Sequence, residues 1–189
     1  VEGITNPLWT LVMAAVHRMG LNGSSASLTI TLLSLACVLA SGLLAGTITA
    51  MLGGGRAGQA LAIVATTCCY PLIFWSLRGM EVGLITLLTL ILIACALGHR
   101  RDLHSPTGNP NRLIVVACLA SVAAVATRLD CLVVVLVVCW WSAWTNDRAR
   151  WSMSIPVAAT TLSAIVVMEI ARWLYYGSWV PNTYTLKIS

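Results

Sequence analysis

The sequence predicts an all-α integral membrane protein, a polytopic helical bundle with about six transmembrane helices and one N-terminal interfacial helix. Two observations predict this fold class. Hydrophobic residues make up 59% of the 189 residues and charged residues only 9%, whereas a soluble domain carries about 25% charged residues. The apolar residues also occur in long runs, and about 20 of them cross the hydrocarbon of a bilayer. We therefore expect a single membrane domain over residues 1–189 and exclude a soluble core.

The charge balance fits a membrane protein better than a nucleic-acid-binding protein. Eleven Lys and Arg residues against six Asp and Glu give a net charge of +5. The cations separate apolar runs, so membrane topology and lipid head groups explain them, and no nucleic-acid partner is expected. The seven cysteines lie almost entirely within apolar runs and form no C-x-x-C pair, which predicts small core residues and no metal site.

The first element is expected to lie on the membrane surface, within an interfacial segment of residues 1–22. Pro7 follows Thr5 and Asn6, a favourable start for a helix. The stretch from Pro7 to Gly20 is too short and too polar to span, and Trp9 suits an anchor among the head groups.

Six apolar stretches follow as candidate spans. The fourth and fifth are short, and two interpretations of them are open. A single segment would place Arg128 and Asp130 near mid-bilayer, whereas a hairpin places both charges in a turn at one face; we favour the hairpin. The stretches are Ala26 to Ala50, Gly58 to Leu77, Val82 to Leu97, Leu113 to Thr127, Cys131 to Trp144 and Ser152 to Ala171.

Six spans distribute the charges over two faces. The face with more loop cations is expected to be cytoplasmic, and it would carry Arg56, Arg100, Arg101, Arg112, Arg148 and Arg150. The opposite face would carry Glu2, Arg18, Arg78, Glu81, Arg128, Asp130, Arg172 and Lys187, mostly at the ends of spans.

This second face has the groups needed to hold a lipid-linked sugar phosphate. Cations would take the negative charge of the phosphate, aromatic rings would stack on the sugar, and a carboxylate would accept a proton from the acceptor hydroxyl. The cations are Arg78, Arg128, Arg172 and Lys187; the rings are Tyr175, Tyr176, Trp179 and Tyr184; the carboxylates are Glu81 and Asp130. Alternatively, each arginine reaches the nearest lipid phosphate or pairs with a neighbouring carboxylate.

The same segments resemble a known family. The order Val-Glu-Gly-x-Thr-Asn-Pro-Leu-Trp, Gly-Met-Glu, Arg-x-Asp and Tyr-Tyr-Gly-x-x-x-Pro-Asn-Thr-Tyr-x-x-Lys resembles polytopic glycosyltransferases of the GT-C superfamily. Within it, the chain is most similar to the arabinofuranosyltransferase-like group, which uses polyprenyl-phosphate sugars in bacterial envelopes. Two positions depart from the family pattern: Leu129 replaces a proline, and Asp130 replaces a glutamate.

The resemblance implies an enzyme of the bacterial inner (plasma) membrane whose site faces the periplasm or exterior. Its partners would be a polyprenyl-phosphate sugar donor, the bilayer, and an envelope glycan, lipid or protein acceptor; no cofactor is certain, and a divalent cation is an open option. The family's main catalytic Asp is expected upstream of Val1, with Glu81 and Asp130 in support. Glu2, Asn6 and Trp9 would flank the site, and Tyr175, Tyr176, Asn182 and Lys187 would match the family's tail, in a periplasmic or extracellular loop of residues 173–189.

Two other classes remain open. A transporter or lipid flippase would show ionisable residues within spans and paired broken helices. Glu169 is the main candidate for a charge within a span, and Arg172 lies three residues later on the same helical face. A membrane scaffold without catalytic activity would tolerate substitution of the charges on the second face.

Overall fold

A computed structural model describes residues 6–103, 110–145 and 151–176 of the protein. These residues form eight α-helices and no strand, which confirms the all-α prediction. The helices are α1 (Pro7–Arg18), α2 (Ser24–Met51), α3 (Arg56–Thr67), α4 (Tyr70–Leu77), α5 (Val82–Asp102), α6 (Pro110–Thr127), α7 (Cys131–Thr145) and α8 (Ser154–Tyr176).

Four of the described helices, α2, α5, α6 and α8, are long and apolar enough to cross a membrane. Helices α3 and α4 add a fifth span if they are counted together. Helix α7 has 15 residues, so it is about 22 Å long, shorter than the roughly 30 Å hydrocarbon core. Length and composition therefore give four or five spans, and the count of six stays a prediction.

The predicted second span is not one straight helix. It divides into α3 and α4 at Cys68 and Cys69, with a bend of 44°. Pro71 is at the start of α4; it has no backbone N–H, and its ring would clash with the carbonyl of residue 67 in a continuous helix. The apolar run alone conceals this break because proline does not interrupt its hydrophobicity.

The predicted hairpin between the fourth and fifth stretches is confirmed as two helices. Helix α6 ends at Thr127 and α7 begins at Cys131. The amide of Cys131 donates to the carbonyl oxygen of Arg128 at 3.1 Å. Arg128 and Asp130 therefore lie in a short turn and not in the middle of a long span.

Two turns and α1 meet at one end of the bundle, which we call the Glu81 end. The indole Nε1 of Trp9 in α1 donates to the carbonyl oxygen of Gly79 at 2.8 Å. A guanidinium nitrogen of Arg128 lies 3.6 Å from a carboxylate oxygen of Glu81. The turns at 78–81 and 128–130 consequently share one end, as the alternation of spans predicts.

The opposite end, which we call the Arg101 end, gathers the other connections. Nη2 of Arg101 donates to the carbonyl oxygen of Met51 at 2.9 Å, which joins the C-terminal ends of α5 and α2. Nε2 of His99 lies 2.8 Å from Oγ of Ser152, which joins α5 to the segment before α8. These contacts place the C-terminal ends of α2 and α5 and the start of α8 at the same end of the bundle.

Small residues let the helices approach closely. A Cβ added to Gly83 would lie 3.0 Å from Oγ of Ser76 and 3.1 Å from the carbonyl oxygen of Ser34, so α5 lies close to the backbone of α2 and to a small side chain of α4. Between α6 and α8, the buried hydroxyl of Thr161 lies 2.9 Å from Oγ of Ser121. Small side chains and interhelical hydroxyl contacts are typical of helix packing in membranes.

The C-terminal boundary differs from the predicted loop of residues 173–189. Helix α8 continues to Tyr176, so the first four residues of that loop are helical. The remainder of the predicted loop lies outside the described residues.

Candidate functional site

The turn after α4 contains a glycine with a positive φ and contacts α1. Gly79 has a φ of +77°, a conformation that residues with a Cβ rarely adopt. Its carbonyl accepts the indole N–H of Trp9, whose side chain is only 3% exposed. The prediction that Trp9 anchors the chain among lipid head groups is wrong, because the indole is buried and its N–H already has a partner.

A cleft of about 440 Å³ opens beside this turn, between α1, α2 and the end of α4. Apolar residues of all three helices form part of its wall, among them Met13, Ile30 and Leu77. Its polar lining is His17, Ser27, Thr31 and Arg78. The Thr31 hydroxyl donates to the carbonyl oxygen of Ser27 in its own helix. Cationic and apolar groups thus line the same opening.

Arg78 keeps its charge available in this cleft. Its guanidinium carbon lies 4.1 Å from the centroid of the Phe74 ring and 5.9 Å from that of Trp75. No carboxylate among the described residues lies within 4.0 Å of it. A cation over an aromatic face is stabilised without being neutralised, so the geometry leaves Arg78 able to bind an anion.

Arg128, in the neighbouring turn, lies between two carboxylates. Its Nε and Nη2 donate to the two carboxylate oxygens of Asp130 at 3.2 and 2.8 Å, and its Nη1 lies 3.6 Å from Glu81. The hydrogen bonds from Arg128 hold the pKa of Asp130 below its usual value. The side chain of Glu81 is 4% exposed and that of Asp130 is 65% exposed, so this arginine bridges a buried acid and a solvated one.

A third arginine of the predicted site, Arg172, is also paired. Its Nη1 donates to both carboxylate oxygens of Glu169, at 2.7 and 2.9 Å, within α8. This is the pairing that the three-residue spacing predicts. Neither Arg172 nor the exposed Tyr175 lines the cleft at Arg78.

Of the remaining predicted residues, only Asn6 has a described side chain. Asn6 is the residue before α1, and its side chain makes no capping hydrogen bond. Glu2, Asn182 and Lys187 lie outside the described residues, as does the side chain of Tyr176. Their predicted roles stay predictions.

Sequence reasoning missed the cleft residues of α1 and α2. His17 follows Met13 by four residues, and Thr31 follows Ser27 by four, so each pair lies on one helical face. That spacing was readable from the sequence. What was not readable is that the two faces converge on Arg78, because this depends on how α1 packs against the turn.

The described residues bring together no group of three or more His, Cys, Asp or Glu side chains that could hold a metal ion. The carboxylates of Glu81 and Asp130 instead share Arg128 as their cation. A divalent cation stays an open option, as in the sequence-based prediction.

Comparison of the chain with protein-family models, with curated proteins and with solved structures finds no match. The side chains of the Glu81 end and the motif resemblance are therefore what points to a function.

Proposed function

We propose that the chain is a membrane glycosyltransferase, or a portion of one, that transfers a sugar from a polyprenyl-phosphate donor to an envelope glycan, lipid or protein acceptor. The observation that carries this proposal is Arg78, a guanidinium without a carboxylate partner among the described residues, which lines a cleft at the same end as the buried carboxylate of Glu81. The motif order that resembles GT-C glycosyltransferases supports the same reaction.

In the proposed reaction, an acceptor hydroxyl oxygen attacks the anomeric carbon of the donor sugar. The bond from that carbon to the phosphate oxygen breaks, and the polyprenyl phosphate leaves with the electron pair. Arg78 would stabilise the negative charge that grows on the leaving phosphate. The hydroxyl proton goes to a carboxylate, with Glu81 and Asp130 in a supporting role.

The contacts of Arg128 suit a positioning role. It holds Glu81 and Asp130 on one guanidinium, so it fixes the two carboxylates relative to each other. At Arg128 a donor phosphate would compete with two carboxylates that already neutralise the guanidinium. Arg78 has no carboxylate within 4.0 Å among the described residues, which makes it the stronger candidate for the phosphate.

The proposed topology places the Glu81 end at the non-cytoplasmic face of a bacterial plasma membrane, with α7 as a sixth span. The Arg101 end would be cytoplasmic by the bias of loop cations. A donor embedded in the bilayer would present its phosphate at head-group depth, where the cleft at Arg78 would meet it.

Transfer activity tests the role of Arg78. The assay uses membranes that contain the full-length protein. Arg78→Gln should lower the transfer of labelled sugar from a polyprenyl-phosphate donor by about ten- to a thousand-fold, which corresponds to the loss of a few kcal/mol of transition-state stabilisation. Arg18→Gln is the matched control, since Arg18 is an exposed arginine at the C-terminal end of α1 that does not line the cleft. Wild-type transfer by Arg78→Gln at equal abundance would contradict the proposal.

Cysteine labelling tests the proposed sidedness. Leu129 in the turn between α6 and α7 and Leu52 after α2 are both exposed and lie at opposite ends of the bundle. In a Cys-free background, a membrane-impermeant thiol reagent added outside should label Leu129→Cys and leave Leu52→Cys unmodified until the membrane is opened. Labelling of Leu52→Cys alone would reverse the topology and remove the site from the face where the donor is proposed to bind.

A transporter or lipid flippase is the second candidate, and the broken pair α3 and α4 is the observation that favours it. Discontinuous helices form substrate sites in many transporters, usually with one such helix in each of two related halves. The described residues contain one discontinuous helix, formed by α3 and α4. Uptake of a lipid-linked sugar into sealed vesicles without chemical transfer would support this reading over the glycosyltransferase.

A further inference from the structure

A second cleft, separate from the proposed active site, opens at the Arg101 end. It has a volume of about 560 Å³ and lies where the C-terminal ends of α2 and α5 meet. Met51, Leu52 and Leu97 form its apolar wall, and Arg100 and Arg101 contribute its charge. From the sequence, these two arginines are predicted only to place this end at the cytoplasmic face.

One of these arginines is held in place by the backbone. Nη2 of Arg101 donates to the carbonyl oxygen of Met51 at 2.9 Å. A guanidinium has five N–H donors, so one such bond fixes its position and leaves other donors for a ligand. The planar fork of these donors matches the oxygens of a phosphate.

Cations outnumber carboxylates among the described residues of this end. Among the described residues, the Arg101 end carries Arg56, Arg100, Arg101 and Arg112 against the single carboxylate of Asp102. The described part of the Glu81 end is nearly balanced, with Arg18, Arg78, Arg128 and Arg172 against Glu81, Asp130 and Glu169. Among the described residues, the excess of positive charge is therefore larger at the Arg101 end, where the second cleft lies.

We propose that this cleft binds the head group of an anionic phospholipid. The arginines would contact the lipid phosphate, and the start of an acyl chain would lie along Met51, Leu52 and Leu97. Both helices are long enough to span a membrane, so their ends lie at the depth of lipid head groups. Basic pockets between transmembrane helices are known to bind anionic lipids.

The apolar wall selects a lipid over a free anion. A soluble phosphate would use the arginines but gain nothing from the three apolar side chains. A phospholipid satisfies both parts of the cleft in one molecule, because its charged head group is bonded to apolar chains.

Lipid retention by the purified protein tests the proposal. The full chain, purified in a neutral detergent, is mixed with phosphatidylglycerol or phosphatidylcholine, and bound lipid is counted by native mass spectrometry. Phosphatidylglycerol should be retained preferentially, and Arg100→Gln should reduce its retention by about fivefold, the effect of one charge near an anionic head group. Arg100→Gln leaves the bond from Arg101 to Met51 intact, so it separates lipid binding from helix packing.

Arg56→Gln is the matched control, because Arg56 is exposed at the same end and does not line the cleft. It should retain phosphatidylglycerol as the wild type does. Equal retention of the two lipids, or an equal loss in Arg56→Gln, would contradict a specific lipid site and indicate diffuse charge attraction. Displacement of the lipid by millimolar inorganic phosphate would contradict the proposal that the ligand is a phospholipid and indicate a site for a free anion.

Discussion

The turns after α4 and after α6 each contain an arginine close to a carboxylate in sequence, yet the two arginines have different surroundings. The Arg78 guanidinium lies over the Phe74 ring, 4.1 Å from its centroid, and faces an open cleft. The Arg128 guanidinium lies between Asp130 and Glu81. The carboxylate three residues after Arg78 is therefore paired with the arginine of the other turn.

This difference shows that two arginines at one end of a bundle can have different roles, one available to bind an anion and the other holding carboxylates in place. Because Arg128 takes both carboxylates, Arg78 keeps its positive charge for a ligand. A sequence with Arg-Gly-Met-Glu in one turn and Arg-Leu-Asp in another suggests two local ion pairs. The fold instead makes one three-residue network and one available cation.

The largest effect on stability should come from breaking that network. Arg128→Met removes the cation nearest to the buried Glu81 carboxylate and should lower the free energy of unfolding by about 1–3 kcal/mol. Equilibrium unfolding in mixed detergent micelles measures this free energy. Asp130→Asn is the control on the solvated side of the same arginine, and it should change the free energy by less than about 1 kcal/mol because Asp130 is 65% exposed.

A second variant tests whether Glu81 is the cause of that loss. The double variant Glu81→Gln with Arg128→Met removes the buried charge together with its partner, so it should recover part of the lost stability. If the double variant is no more stable than Arg128→Met alone, the 3.6 Å contact with Glu81 is not what Arg128 contributes.

A smaller effect is expected at the contact that holds α1 over the first turn. Trp9→Phe keeps a buried ring but loses the 2.8 Å hydrogen bond to Gly79, so it should lower the free energy of unfolding by about 1 kcal/mol. Trp151→Phe is the control, because Trp151 is 53% exposed. Equal stability losses in the two variants would mean that the hydrogen bond to the turn contributes nothing specific.

Much of the fold was predictable because apolar runs and charged turns carry direct physical information. The hairpin at Arg128 and Asp130 followed from the cost of placing two charges at mid-bilayer. The break at Cys68 and Cys69 was missed because the apolar run was read without the steric effect of Pro71. Local chemistry in that case overrode the hydrophobic pattern.

The site was less predictable than the fold because it depends on contacts far apart in sequence. Residue types at the Glu81 end suggested cations and carboxylates, and the ion pair of Glu169 with Arg172 followed from helical spacing. Nothing local indicates that Trp9 reaches Gly79, 70 residues away, or that Glu81 pairs with Arg128 instead of Arg78. Those pairings arise only when α1 and the two turns are packed together.

Direct binding of a polyprenyl phosphate is the measurement that tests the contrast between the two arginines most directly. Purified protein in a neutral detergent is titrated with decaprenyl phosphate, in competition with a fluorescent analogue of it. Arg78→Gln should weaken binding by about ten- to a hundred-fold, the loss of one hydrogen-bonded charge, while the Glu81→Gln, Arg128→Met double variant should bind with near wild-type affinity. Unchanged affinity in Arg78→Gln, or a loss confined to the double variant, would show that Arg78 is not the residue that binds the phosphate.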